Sequence, residues 1–168
     1  MQHYYKYPSD MMELVHHYDT VARMGPKIFV GEWATRSGTP TPNFGDALGD
    51  AAWMTSMERN SDLIVMASLC AAARECQPRC DGVVDRPDRL RCAEYLCISK
   101  LLGTVSFAEH LGDGTARSTI SAENKRFFYS ATASAGDKVL HLKLVNASSV
   151  EQPLSVLLTG VSGPPTLG

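Results

Sequence analysis

The apolar run Lys27-Ile28-Phe29-Val30-Gly31-Glu32-Trp33 constrains this chain more than any other feature. Its length suits a buried strand and is too short for a buried helix. A helical pattern precedes it from Asp10 to about Arg23, where Met11, Leu14, Val15, Tyr18 and Val21 recur at helical spacing. Asp10 and Glu13 there form a capping-box pair just after Pro8, and Gly25-Pro26 ends the element. A polar, Gly- and Pro-rich loop follows the strand from Thr35 to Asn43. A second helix is predicted over Phe44–Arg59, with Leu48, Ala51, Ala52, Met54 and Met57 as its apolar face and Asn60 as its terminator. Asp62–Ser68 is a second buried-strand pattern. Helix, strand, loop, helix, strand is the alternation of a parallel sheet or barrel.

From Thr119 onward the pattern changes. Phe127–Ala133, Val139–Asn146 and Leu154–Thr159 read as strands, separated by turn residues at Ala135-Gly136-Asp137 and Ser148–Pro153. The alternation His141-Leu142-Lys143-Leu144-Val145 fits a sheet with one face in water. The fold class is therefore α/β plus β, a βα-unit segment followed by an antiparallel sandwich module. At 168 residues the chain can hold one domain or parts of two. A net charge of −2 gives no field for nucleic acid or an anionic membrane, and no apolar run reaches spanning length. Met1–Tyr7 lacks the basic-then-apolar layout of a signal peptide, and localisation is undetermined, because the start of the chain need not be the start of the protein. Asn146-Ala147-Ser148 is a glycosylation acceptor triplet of the kind that arises often by chance.

Glu32 is the most informative position for chemistry. In a (β/α)8 barrel, residues at the C-terminal ends of strands face the active site, and Glu32 ends an apolar strand beside Trp33 and a long loop. A carboxylate next to an aromatic ring suits sugar chemistry; the bland alternative is a solvated Glu at a strand end. His3, Tyr4 and Tyr5 read either as a polar-aromatic pocket wall or as ordinary core and surface residues. Glu58-Arg59 at a helix end reads as a solvated pair. Met11, Met12, Met54, Met57 and Met66 fit core packing better than a cofactor site.

Taken together, His3-Tyr4-Tyr5, Gly25-Pro26-Lys27-Ile28-Phe29-Val30-Gly31-Glu32-Trp33-Ala34, and Met57-Glu58-Arg59-Asn60-Ser61-Asp62 through Met66-Ala67-Ser68 resemble family 51 glycoside hydrolases. These are α-L-arabinofuranosidases built from a (β/α)8 barrel and a β-sandwich. The resemblance runs in order and spacing through residues 1–68 and returns more loosely from about Phe107. It implies the C-terminal part of the barrel over residues 1–106 and a β-sandwich domain over 107–168. Glu32 falls on the family's nucleophile, with Trp33 where its motif carries an aromatic. His3 and Tyr5 fall on a His-x-Tyr pattern that borders the sugar pocket, and Trp33 is expected to border it too. The implied activity is retaining hydrolysis of terminal non-reducing α-L-arabinofuranosyl residues in arabinose-containing polysaccharides or oligosaccharides. No cofactor, metal, nucleic acid or membrane is implied, and a homo-oligomer is expected of the parent enzyme. Retaining chemistry needs a second carboxyl group as general acid/base. In the family it follows an Asn on a much earlier strand, and no Asn-Glu pair occurs here. The chain as given, with the N-terminal part of the barrel missing, is therefore expected to be inactive. The alternative is a non-catalytic carbohydrate-binding or structural β module, for which Phe127, Phe128 and Tyr129 are the candidate aromatics.

Between the two blocks of resemblance lies an atypical stretch, about 69–102. It holds all five cysteines (Cys70, Cys76, Cys80, Cys92 and Cys97) yet contains no C-x-x-C pair, so a zinc or disulfide reading is weak. A shifted reading frame accounts for it. Leu69–Cys76 can be encoded TTA TGC GCC GCT GCT CGT GAA TGT, and one base along those letters give Tyr-Ala-Pro-Leu-Leu-Val-Asn. Asp85–Arg91 as GAC CGA CCT GAT CGG CTA CGA gives Thr-Asp-Leu-Ile-Gly-Tyr in the same way. Both are runs of the kind the family carries at that place, so residues 69–102 are expected to be out of frame.

Overall fold

The computed structural model describes residues 1–37, 43–69, 103–121, 124–136 and 138–160. The expected βα alternation is present. β1 (Gln2–Lys6), β2 (Ile28–Thr35) and β3 (Ile64–Leu69) form a parallel sheet in the order β1-β2-β3. Helix α1 spans Pro8–Glu13 and runs into a 3-10 turn, Leu14–His16. It is shorter than the predicted Asp10–Arg23 and starts earlier. Pro8 sits in the first turn, where its fixed φ and missing N–H cost nothing, and Tyr7 holds the cap position. Asp10 is thus a first-turn residue and no capping box forms there. The helix does not continue to Arg23, whose guanidinium donates to the Tyr18 and Val21 carbonyls at 2.9 and 2.8 Å. α2 spans Phe44–Arg59 as predicted. Its cap is a reciprocal box: Asn43 Oδ1 accepts from the Asp46 amide and Asp46 Oδ2 accepts from the Asn43 amide.

A bulge in β2 decides what the sheet presents. Gln2 pairs with Val30 but His3 pairs with Glu32, and on the other side Val30 pairs with Ala67 but Trp33 pairs with Leu69. Both neighbours register one extra residue in β2. Val30 is fully buried in the core, so strict alternation would have sent Glu32 into that core as well. The extra residue reverses the phase, turning Glu32 to the open face and returning Trp33 to the core. Gly31 leaves room for this, since a Cβ there would lie 3.0 Å from His3 Nε2 and 2.6 Å from Met1 Cγ. A slip between β2 and β3 pairs Phe29 with Met66, and Met66 is 57% exposed, contrary to its expected place in the core.

α2 lies between two sheets, which is why it buries more than the one apolar face read from its sequence. Trp53, with Met54, packs toward the parallel sheet with Met11, Tyr18, Val30, Trp33, Leu63 and Ile64. Ala52 packs with Met12, Val15, Phe128 and Val145 on the second sheet. That sheet is antiparallel, in the order β4 (Gly114–Thr115), β5 (Phe127–Ser134), β6 (Val139–Asn146), and a third helix covers 103–109. β4 and this helix carry no periodicity that would have announced them. Leu154–Thr159, expected as a strand, is irregular, and Leu154, Val156 and Leu157 are exposed. No strand beside it supplies a ladder among the described residues. Of the stretch expected to be out of frame, 70–102 lies outside the described residues.

The alternation along β6 is real but its sense is reversed. Lys143 is buried against α2, whereas Leu140, Leu142 and Leu144 are exposed. Glu58, read from the sequence as solvated, explains this. Its carboxylate is buried, pairs with the Lys143 ammonium and accepts from the Ser130 hydroxyl. Its neighbour Arg59 donates to the Val15 carbonyl (2.9 Å), the Tyr129 carbonyl (3.2 Å) and the Asp19 carboxylate (3.0 Å). Burial pushes the Asp19 carboxyl up, but hydrogen bonds from Asn60, Arg59 and His16 outweigh it and hold it below the usual carboxylate range. Polar groups on the last turn of α2 thus fasten the second sheet and the segment from Val15 to Asp19 to one helix.

Candidate active site

Glu32 stands near the C-terminal end of the central strand, on the sheet face away from α2. β1 and β2 run parallel and in register beyond the bulge, so His3 and Tyr5 share that face. The Tyr5 hydroxyl donates to Glu32 Oε2 at 2.7 Å. His3 Nδ1 lies 3.8 Å from the same oxygen, too far for a hydrogen bond but close enough for charge attraction when the ring is protonated. Half of the Glu32 side chain is exposed. The carboxylate is held by one strong donor and leaves its other oxygen, Oε1, for an incoming group.

The structure brings His3, Tyr5 and Glu32 together and does not bring Trp33 to them. Expected to border the sugar, Trp33 is 2% exposed on the opposite face, in the core with Tyr18 and Trp53. Consecutive residues after the bulge alternate faces, so the aromatic next to the carboxylate packs behind the sheet. Tyr4 likewise faces inward, 5.0 Å from the Trp53 ring and bonded through its hydroxyl to Gln2 and Tyr18. Burial raises the Tyr18 hydroxyl far above its ordinary range, so it remains a donor within this group.

Two residues that sequence reasoning missed support the site. Arg36, just past β2, donates its amide to the Lys6 carbonyl at 2.9 Å, and its guanidinium carbon lies 4.7 Å from the centre of the Tyr5 ring. Asp50 of α2 accepts the buried Thr35 amide at 2.7 Å, fixing the exit of β2. Neither position stands out by periodicity: one is in a loop and the other is an acidic residue on a helix. Among the described residues no cluster of three or more metal-ligating side chains occurs.

Comparison of the chain with known proteins gives a consistent set of relatives. The chain is 30% identical to α-L-arabinofuranosidase 1 of Arabidopsis thaliana over 171 residues, covering 95% of this chain and 24% of that protein. The chain is similar to a segment of α-L-arabinofuranosidases. An extracellular exo-α-L-arabinofuranosidase of Streptomyces chartreusis is 37% identical over 67 residues, 40% of this chain and 8% of its own length. An arabinose-bound family 51 α-L-arabinofuranosidase structure matches with a TM-score of 0.69 and 26% identity, over 90% of this chain and 26% of that one. No family model matches. The chain spans about a quarter of the length of these curated relatives, along 95% of its own length.

Proposed function

We propose that these residues belong to a retaining α-L-arabinofuranosidase acting on terminal non-reducing arabinofuranosyl units of arabinose-containing glycans, with Glu32 as its nucleophile. The observation that carries this reading is the Tyr5 hydroxyl on Glu32 Oε2 in the C-terminal half of a parallel strand, in a chain whose relatives carry that activity by name. Glu32 attacks the anomeric carbon through Oε1 while Tyr5 holds Oε2. The leaving oxygen takes a proton from a general acid that the longer protein supplies. Water then cleaves the glycosyl ester, so configuration is retained. His3 borders the pocket beside Tyr5, and Trp33 serves from behind, as packing under the strand. The open face bearing His3, Tyr5 and Glu32 is the inner wall of a (β/α)8 barrel, and the exposed leucines of β6 face a second sheet of a sandwich.

The alternative β-module reading loses its candidates: Phe128 is buried against α2, and Phe127 and Tyr129 are half-buried. The test of the main reading is release of 4-nitrophenol from its α-L-arabinofuranoside by the full-length protein and by its Glu32→Gln variant. Turnover by the first and near-complete loss in the second is expected; equal turnover by both would remove Glu32 from the mechanism.

Residues 69–102 are read as the product of a shifted frame. The Arabidopsis alignment of 171 positions takes in 95% of the chain, which supports a replaced segment of similar length over an added one. Sequencing the gene should find compensating insertions or deletions near codons 69 and 102. An unbroken frame, with native peptides spanning Cys76 and Cys80, would reject this.

A further inference from the structure

The Tyr5 hydroxyl donates to Glu32 Oε2, so the direction of that bond depends on how the ring is held. It stands on the open face of the sheet, 39% exposed. Arg36 covers it, with its guanidinium carbon 4.7 Å from the ring centre. Arg36 is itself anchored. Its amide bonds Lys6, the residue after Tyr5, which carries the β1–β2 ladder one step beyond the end of β2. The preceding Thr35 is fully buried, and its amide is held by Asp50. Gly49 of α2 approaches Thr35 so closely that a Cβ would lie 2.8 Å from Thr35 Cγ2. The backbone leading to Arg36 is therefore clamped between strand and helix, and its side chain projects from a fixed point over the ring.

We infer that Arg36 is a positioning residue for the nucleophile, holding Tyr5 by a cation–π contact so that the phenol hydroxyl stays on Glu32 Oε2 through the reaction. A planar guanidinium suits this better than an ammonium, because it lies flat on the ring and stays charged at every working pH. The inference rests on Glu32 being the nucleophile. Its chemistry is local: Arg36 moves no proton and forms no bond to sugar, and it acts through the direction of one hydrogen bond. An exposed contact of this kind is worth about 2- to 5-fold in rate.

A double-mutant cycle in the full-length enzyme tests it, with kcat and KM for 4-nitrophenyl α-L-arabinofuranoside. Arg36→Ala should lower kcat about 2- to 5-fold with little change in KM, and Arg36→Lys should recover only part of the loss. In a Tyr5→Phe background, which keeps the ring and removes the hydroxyl, Arg36→Ala should have no further effect. Fully additive losses, or a loss carried by KM, would overturn the inference and make Arg36 a direct sugar contact or a bystander. Ring-current shifts of the Arg36 side-chain protons, present in the parent and absent in Tyr5→Leu, give a readout independent of turnover; their absence in the parent would also overturn it. Glu32→Gln is run alongside. If that variant stays active, the nucleophile assignment has failed; if it is inactive while the cycle is additive, only the role of Arg36 has failed.

Discussion

The two sheets flanking α2 treat the same alternation in opposite ways. The parallel sheet buries apolar Val30, Trp33 and Ile64 against the helix and turns His3, Tyr5 and Glu32 to the open side. The antiparallel sheet buries Ser130, Thr132, Ser134 and Lys143 toward the helix and leaves Leu140, Leu142 and Leu144 exposed. A polar residue in a strand is therefore no guide to solvent; what matters is whether a partner waits on the facing element. Glu58 is that partner for Lys143, and it lets one charged residue face inward. Behind the strand at Glu32 stands the cluster of Val30, Trp33 and Trp53, and the bulge turns the carboxylate outward.

Breaking the buried pair is the harshest way to test this contrast. Glu58→Ala strands the Lys143 ammonium in a nearly dry site and should cost about 3–5 kcal/mol locally. Hydrogen exchange of β5 and β6 amides should speed up accordingly while the amides of β1 and β2 stay protected. Replacing both partners, Glu58→Met with Lys143→Met, should recover most of the loss. Uniform deprotection of both sheets in Glu58→Ala would mean the two do not differ as described.

A smaller and more discriminating effect concerns the leucine face. Leu142→Lys in residues 1–168 alone should change stability by no more than about 0.5 kcal/mol, the usual range for a surface change. In the full-length protein, with a second sheet on that face, the same change should cost more than about 2 kcal/mol. Thermal unfolding of both pairs reads the difference; equal small shifts would argue against the sandwich.

Much of the α/β unit was legible because its signals are local. Length and apolar content gave β2 and β3, and apolar spacing with a terminating asparagine gave α2 to the residue. The juxtaposition of His3, Tyr5 and Glu32 came from family resemblance; the residues alone left Glu32 as a site carboxylate or a solvated one, and the one-residue bulge that turns it to the open face leaves no mark on spacing except a glycine. The short α1 was hidden because Arg23, from outside it, takes the carbonyls of the turns that replace it. In the β unit the strands were readable but their sense was not, because Glu58, which draws Lys143 inward, lies 85 residues away in sequence. Arg36 was invisible for a related reason: its role depends on a neighbouring strand.

The identity of the Glu32 side chain as nucleophile is tested most directly by chemical rescue. In full-length Glu32→Ala, the vacated space should admit a small anion on the face from which we propose the carboxylate attacks. Azide should then restore turnover of 4-nitrophenyl α-L-arabinofuranoside and yield the glycosyl azide with inverted configuration, because a single displacement replaces the double one. A rescued product of retained configuration would mean that Glu32 had instead been the acid/base, with azide opening a covalent intermediate formed on another carboxylate.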